Sequence, residues 1–376
     1  MNASWLDRCL KLRDRLLTSA RFQRWAAAFP VTRPVAQRRA RALFDLCAGF
    51  VYSQVLLACV RLDLFSILSE SPQTTTQLAH RLSLSTDATV RLLAAAASLR
   101  LVERRSHQRF GLGPLGAALL GNPAIAAMVE HHGLLYADLR DPVALLRAPR
   151  PQTELAGFWA YAGVGRPQEL AAEQVSAYSM LMGASLPLIA DDILDAHPLH
   201  RYRSLLDVGG GEGAFAAAAA GRAPALRVTV FDLPAVVERA QARFVANGLG
   251  DRAVAIAGDF HSDPLPQGAD VVSLVRVVHD HSDDAALQLL RGVRRVLGDT
   301  GRLLLAEPMA GTAGAEPVGD AYFGFYLLAM GRGRPSTADE LRQLLRQAGF
   351  GRIRLVNTRR PLLTRLLLAE GCGHRK

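Results

Sequence analysis

The stretch Leu205–Gly213, LLDVGGGEG, is followed at Val228–Leu233 by VTVFDL. Two apolar runs each end at an acidic residue, Asp207 and Asp232, with a glycine cluster and the small-residue stretch AFAAAAA between them. That order spells a strand, a tight glycine turn, a helix and a second, parallel strand. Glycines at such a turn let the backbone approach a ligand, and a carboxylate at the tip of the second strand takes ribose hydroxyls. The pattern predicts a parallel α/β sheet that presents a nucleoside-bearing cofactor.

Outward from this unit, strands and helices alternate to the end of the chain. Strands are predicted at Ser204–Val208, Arg227–Phe231, Ala253–Ala257, Val271–Val275 and Gly301–Glu307, then at Ile353–Asn357 and Thr364–Ala369. Helices fall at Gly213–Gly221, Pro234–Asn247, Asp283–Leu297 and Thr337–Gln347. The predicted fold class is α/β, with residues 201–376 forming a doubly wound, seven-stranded, Rossmann-like sheet. The final two strands, joined through Arg359–Pro361, are close enough for an antiparallel hairpin at the edge.

Residues 42–120 read as helices with a small β-wing. Ala42–Val60 is apolar and amphipathic, and Leu62–Ser69 is short. Thr74–Arg81 and Thr86–Leu99 have helix-turn-helix form, each opening at a threonine or serine cap; Leu101–Arg104 and Gln108–Leu112 can pair as the wing. The second of these helices offers Arg91 and then LLAAAASL, a face for burial, whereas a phosphate grip needs several cations. A winged-helix dimerisation domain is expected here, with no nucleic acid as partner. Residues 121–200 read as a helical linker and pocket segment: Asn122–Trp159 is broken at Pro142, Pro149 and Pro151, and Val175–Leu194 carries Tyr178, Met180 and Met182 on its apolar side. His131 and His132 lack a carboxylate or further histidine at metal-ligand spacing, so no metal is expected.

The glycine signal alone is ambiguous, because Gly209-x-Gly211-x-x-Ala214 also satisfies the relaxed dinucleotide fingerprint. Three features favour S-adenosylmethionine over NAD. The fingerprint lies mid-chain behind a helical domain. Asp259, in GDF, ends the third strand where an adenine amino group would lie, and Phe260 can stack on the ring. The fourth strand ends in His279-Asp280, at the crevice where sheet carboxyl ends meet ligand.

In this order and spacing, DVGGGEG, FDLP, GDF, HDHSDD and LLLAEPM resemble the class I S-adenosylmethionine-dependent O-methyltransferases of the plant caffeate/hydroxyindole type. The likeness spans nearly the whole chain, since that family also has a helical, winged N-terminal dimerisation domain. Within it, LLYADLRDPVALLR and the arginine-rich arm are similar to the bacterial members of the spheroidene-type carotenoid pathway, which act on tertiary hydroxyls. The resemblance implies S-adenosyl-L-methionine as cofactor, a homodimer, and a hydrophobic small-molecule acceptor. It implies that Gly209 and its neighbours, Gly211 and Gly213 among them, face the methionine moiety, Asp232 the ribose, and Asp259 with Phe260 the adenine, with Asp207 and Leu233 also at the cofactor. His279 matches the general base and Glu307 the carboxylate that orients it. The family often has Lys where Val275 stands, with Arg276 next door as a candidate replacement; Trp usually follows HD, where this chain has His281.

Methyl transfer from a sulfonium is an in-line displacement, so the protein must align oxygen, methyl and sulfur and remove a proton. A histidine oriented by a carboxylate suits that task near neutral pH: His279 is read as the base, Glu307 as its orienter, and Asp280 as support for the loop. His197, His200 and His261 are expected on surface loops. The acceptor pocket should be apolar. Tyr322, Phe325, Tyr326 and Met330 in YFGFYLLAM, with Met180, Met182, Phe158 and Trp159, would form a long channel for a polyene. A phenol or a tetrapyrrole carbon is an alternative acceptor, and an NAD oxidoreductase or a winged-helix regulator a more distant reading.

Half of the residues are apolar and 21% are charged, as in ordinary folded proteins. The net charge of +10 sits largely in residues 1–41, which hold ten Arg or Lys against two Asp. The near-neutral remainder argues against a basic nucleic-acid face. Within this arm Trp5, Leu6, Cys9, Leu10, Leu12, Leu16 and Leu17 share one helical face and cations most of the other. Such a helix either packs on protein or lies in an anionic membrane surface through residues 1–25. The four cysteines form no CxxC pair and no apolar run reaches membrane-spanning length, so a cytoplasmic enzyme is expected. Contact through the arm would place it peripherally at the inner, photosynthetic membrane.

Overall fold

The computed structural model describes residues 5–148, 152–159 and 172–371, with side chains of the last range from Leu181 onward. Pro149, Pro151 and the side chains of Tyr178 and Met180 lie outside the described residues. The chain divides into two units, Met1–Asn122 and Pro123–Lys376.

The first unit opens with two helices, Trp5–Thr18 and Ala20–Ala28, where the apolar wheel suggested one. The break falls at Ser19, whose hydroxyl accepts from the Phe22 N–H at 3.4 Å and restarts the helix. A long helix follows over Arg33–Arg61, burying Leu57 and Cys59 while Leu43, Phe44, Leu46 and Phe50 stay exposed. By length and composition this helix could cross a membrane. That corrects the expectation that no apolar run is long enough: Leu43–Val60 carries Asp45 as its only charge.

The predicted caps are in place. Thr74 and Gln77 form a reciprocal capping box at the start of Thr75–Arg81, and Ser85 caps Thr86–Ser98. The latter helix buries Thr89, Leu93 and Ala96, and its Arg91 pairs with Asp87 at 3.0 Å. The wing contains one strand more than its sequence suggested. Gln73–Thr74 (β1) joins Val102–Arg105 (β2) and Arg109–Leu112 (β3) in the order β1-β3-β2, all antiparallel.

The second unit carries the seven-stranded sheet. Its strands are Ser204–Val208 (β4), Arg227–Asp232 (β5), Ala253–Ala257 (β6), Val271–Val275 (β7), Arg302–Glu307 (β8), Phe350–Val356 (β9) and Arg365–Gly371 (β10). Their order is β6-β5-β4-β7-β8-β10-β9. The β4 to β8 pairings are parallel, and the antiparallel β10 slots between β8 and β9. The hairpin predicted at the edge is therefore present, but its second strand is interior and β9 is the edge.

Alternating side chains send this sheet's apolar surface into cores on both faces. Leu206, Val272, Leu274 and Leu305 pack with Leu290, Val293, Leu341 and Leu345. Leu205, Val271 and Leu304 face the other way, against Ile193, Phe215, Ala219 and Phe244. Because β4 lies between β5 and β7, the chain's direction of winding reverses there. The crevice of a doubly wound fold opens at that switch point, outside the strands' carboxyl ends.

The glycine turn is locked to this packing at Gly213. Its φ of +72° is left-handed, and an added Cβ would lie 2.8 Å from the Phe244 ring. Gly213→Ala is expected to cost about 1–3 kcal/mol, seen as a lower urea midpoint. Adding Phe244→Leu should recover the clash but not the backbone strain, making the pair non-additive.

Candidate active site

A cavity of about 400 Å³ lies at the carboxyl ends of β4, β5, β6 and β7. The glycine turn forms its floor. Gly209 N–H donates to the Phe231 carbonyl at 2.9 Å, and Gly211 N–H to Asp232 Oδ2 at 2.7 Å, drawing the turn over the tip of β5. At Gly211 φ is +57° and an added Cβ would meet nothing within 4 Å, so the turn faces open space. Asp232 also accepts from Leu233 N–H at 2.7 Å, and burial raises its pKa against these two bonds.

Asp207, fully buried, accepts from Ser273 Oγ at 2.6 Å through Oδ1. Its Oδ2 has no hydrogen-bond partner among the described residues. Burial pushes its pKa up to about 7, with the Ser273 bond opposing and the Asp232 charge assisting. A buried carboxylate oxygen without a partner, beside an open glycine turn, fits a ligand bearing positive charge. S-adenosylmethionine has both a sulfonium and an ammonium, and so matches this donor set; when bound it supplies a methyl group activated by the sulfonium.

The opposite wall is the turn after β7, built by one carboxylate. Glu307, at the end of β8 and only 2% exposed, accepts through Oε1 from Val277 N–H at 3.1 Å and Val278 N–H at 2.8 Å. Its Oε2 meets His279 Nδ1. The other imidazole nitrogen, Nε2, lies 3.1 Å from Asp280 Oδ1. Burial works against charge on His279, but Asp280 and Glu307 overcome it and hold its pKa well above the ordinary value. Arg276 enters this turn at φ +58°, unusual for a side-chain-bearing residue, and donates to Ser185 Oγ at 3.2 Å. Gly333 holds the turn from outside: a Cβ there would fall 2.0 Å from the His279 carbonyl oxygen.

Asp207, Gly209, Gly211, Asp232, Leu233, Asp259, Phe260, Arg276, Asp280 and Met182 all line the cavity. Gly213 does not, since it packs on Phe244. His279 and Glu307 stand behind the wall. Tyr322, Phe325, Tyr326 and Met330 are also absent from the lining. Tyr326 and Met330 belong instead to an apolar cluster with Leu135, Leu155 and Trp159. There the Tyr326 hydroxyl meets His131 Nε2 at 2.7 Å and accepts from Trp159 Nε1 at 2.9 Å, while the Tyr322 hydroxyl meets His132 Nε2 at 2.8 Å. Burial, with His132 assisting, lowers the His131 pKa to about 4, keeping the imidazole neutral. The Met180 side chain lies outside the described residues.

Several cavity residues escaped the sequence reading, His261 and Arg332 among them. His261, expected on the surface, lines the cavity with its ring 4.9 Å from that of His281. Phe260 meets His281 edge-on at 5.4 Å, so the residue replacing the usual Trp still forms an aromatic wall. Arg332, from the segment after Met330, closes the same side. No local motif marks Arg332; the turn of the chain after Met330 brings it there. His197, by contrast, is partly buried against Tyr202, 2.8 Å away.

Comparison with known proteins accords with this geometry. The family model of the O-methyltransferase domain matches residues 136–351, and that of the O-methyltransferase dimerisation domain residues 44–122. Demethylspheroidene O-methyltransferase of Cereibacter sphaeroides is 42% identical over 96% of this chain and 94% of its own length. Acetylserotonin O-methyltransferase of Mus musculus is 34% identical over 90% of each chain. The crystal structure of human N-acetylserotonin methyltransferase in complex with SAM aligns with a TM-score of 0.72 at 25% identity, over 89% of this chain and 97% of that one. The chain belongs to the S-adenosylmethionine-dependent O-methyltransferases and carries both the dimerisation and the catalytic domain of that family.

Proposed function

We propose that this methyltransferase acts on the tertiary hydroxyl of an acyclic carotenoid of the spheroidene type. The observation that carries the reading is the end-to-end likeness to a demethylspheroidene O-methyltransferase. The cavity agrees in character: Trp159, Met182, Leu186, Leu233 and Val236 give it an apolar side suited to a polyene. The hydroxyl would enter toward the turn after β7, and the cluster of His279, Asp280 and Glu307 draws off its proton.

Incubation of the pure protein with S-adenosylmethionine and a panel of hydroxylated carotenoids, catechols and chlorins tests this by mass spectrometry. A tertiary carotenoid alcohol should gain the mass of one CH2; methylation of only a catechol or chlorin would overturn the substrate class. His279→Gln should abolish turnover, by about 10²–10⁴-fold, while S-adenosylmethionine binding in equilibrium dialysis stays unchanged.

The protein would work as a homodimer through residues 44–122. The arm preceding that domain suits a different partner. Trp5–Thr18 buries no residue, Trp5, Leu6, Leu12 and Leu16 are exposed, and Trp25 stacks on an exposed Phe29 at 5.1 Å. Aromatic and aliphatic side chains beside a surplus of arginine fit the surface of an anionic membrane, where the acceptor dissolves. The enzyme would then be cytoplasmic and peripheral at the inner, photosynthetic membrane. Flotation with vesicles containing anionic lipid should carry the full-length chain but leave a chain lacking residues 1–41 at the bottom; equal flotation of both rejects the arm as anchor.

A further inference from the structure

We infer that Pro187 opens the helix Ala172–Ala196 beside the cavity, and that the Gly183 carbonyl it leaves behind is an acceptor for the ammonium at the amino-acid end of the methyl donor. The inference rests on the cofactor of the family and is independent of which acceptor is methylated.

An α-helix closes each backbone carbonyl with the N–H four residues further on. Pro187 lies inside this helix and has no N–H, so the Gly183 carbonyl lacks the donor that would close its turn. The pyrrolidine ring also presses on that same carbonyl. In an ordinary surface helix such an oxygen would turn to water. Here Gly183 lines the cavity, together with Met182 and Leu186 of the same helix.

The side chains next to Gly183 are already engaged. Glu212, another lining residue, pairs with Arg239 at 2.9 Å and with Arg243 at 3.0 Å. A Cβ at position 183 would lie 3.1 Å from Glu212 Oε2 and 3.3 Å from Arg243 Nη2, so any side chain there would crowd the pair. The Ser185 hydroxyl donates to the Met182 carbonyl at 2.9 Å and accepts from Arg276 Nη1 at 3.2 Å, which ties this part of the helix to the turn after β7. With one carboxylate set against two guanidinium groups, no net negative charge remains beside Gly183. A cation there depends on an oriented backbone oxygen, helped by the Asp207 carboxylate that also borders the cavity.

The donor carries two positive groups, and their chemistry separates them. An ammonium has three N–H donors and no acceptor, whereas a sulfonium has no hydrogen to give. A carbonyl freed from its helix can therefore hydrogen-bond only the ammonium. Such a bond to a charged donor is stronger than one between neutral groups. Pro187 thus acts as a positioning residue: it touches no reacting atom, and it works through the Gly183 oxygen to fix the end of the donor remote from the methyl group.

The test uses the full-length chain and ligands that differ at one end. S-adenosylhomocysteine keeps the ammonium but has a neutral sulfur, and methylthioadenosine lacks the amino-acid end altogether. Pro187→Ala supplies the missing N–H, which then takes the Gly183 carbonyl. In titration calorimetry near neutral pH this variant should bind S-adenosylhomocysteine about tenfold or more weakly and methylthioadenosine within about twofold of wild type. Alanine is a far better helix former than proline, so the Tm of the ligand-free variant should rise. Higher stability with lower affinity is a combination that a purely structural proline would not produce. Unchanged affinity for S-adenosylhomocysteine overturns the inference, and so does an equal loss for both ligands. A loss for S-adenosylmethionine without one for S-adenosylhomocysteine would move the contact to the sulfonium and also overturn it. A lower Tm would assign the proline to packing and reject the role proposed for it.

Discussion

One buried carboxylate organises the reactive side of this enzyme. Glu307 ends β8, yet its hydrogen bonds go to the turn after the neighbouring β7, to two backbone N–H groups and one imidazole nitrogen. Each strand tip alone would be a loop with many conformations. Together they are one rigid unit, because a carboxylate at 2% exposure has no water to fall back on. Leaving such a charge without a partner costs roughly 3–5 kcal/mol. The unusual backbone of Arg276 and the line of His279 and Asp280 both follow from that constraint.

The same logic governs the glycine side. Asp232 and Asp207 are buried carboxylates at neighbouring strand tips, and both have their pKa raised by burial. Asp232 meets its requirement by binding the glycine turn, whereas one oxygen of Asp207 has no hydrogen-bond partner among the described residues. The cavity thus has a fixed, anion-rich floor and a mainly apolar side wall. A cationic methyl donor suits the former and a greasy acceptor the latter. Both halves hang on the strand order, since β4 must lie between β5 and β7 for their tips to converge.

Much of this was legible before any coordinates. Parallel strands buried on both faces read as apolar runs, so β4 and β7 match their predicted bounds; β6, a half-exposed edge strand, matches through its alternating Val254 and Ile256. Helix starts were equally plain at Thr74 and Ser85, where a side chain takes the place of a missing backbone acceptor. Less legible were features whose signal is not local. Strand β1 has two residues and exists only because β3 offers an edge. Tyr326 looked like a pocket residue, but its hydroxyl is taken by His131 and Trp159, which lie 195 and 167 residues away along the chain.

What the sequence by itself determined was the kind of machine: a wound α/β sheet, a glycine turn for a nucleoside-bearing donor, and acidic and imidazole groups at strand tips. Period and residue type carry that information within a few neighbours. Only the tertiary structure decided which of those groups meets the cavity. His279 and Asp280 are adjacent in the chain, yet one is drawn back against Glu307 and the other is left on the wall. That choice depends on a carboxylate 28 residues further on and on the seat provided by Gly333. A burial decision made by distant partners leaves no trace in local spacing.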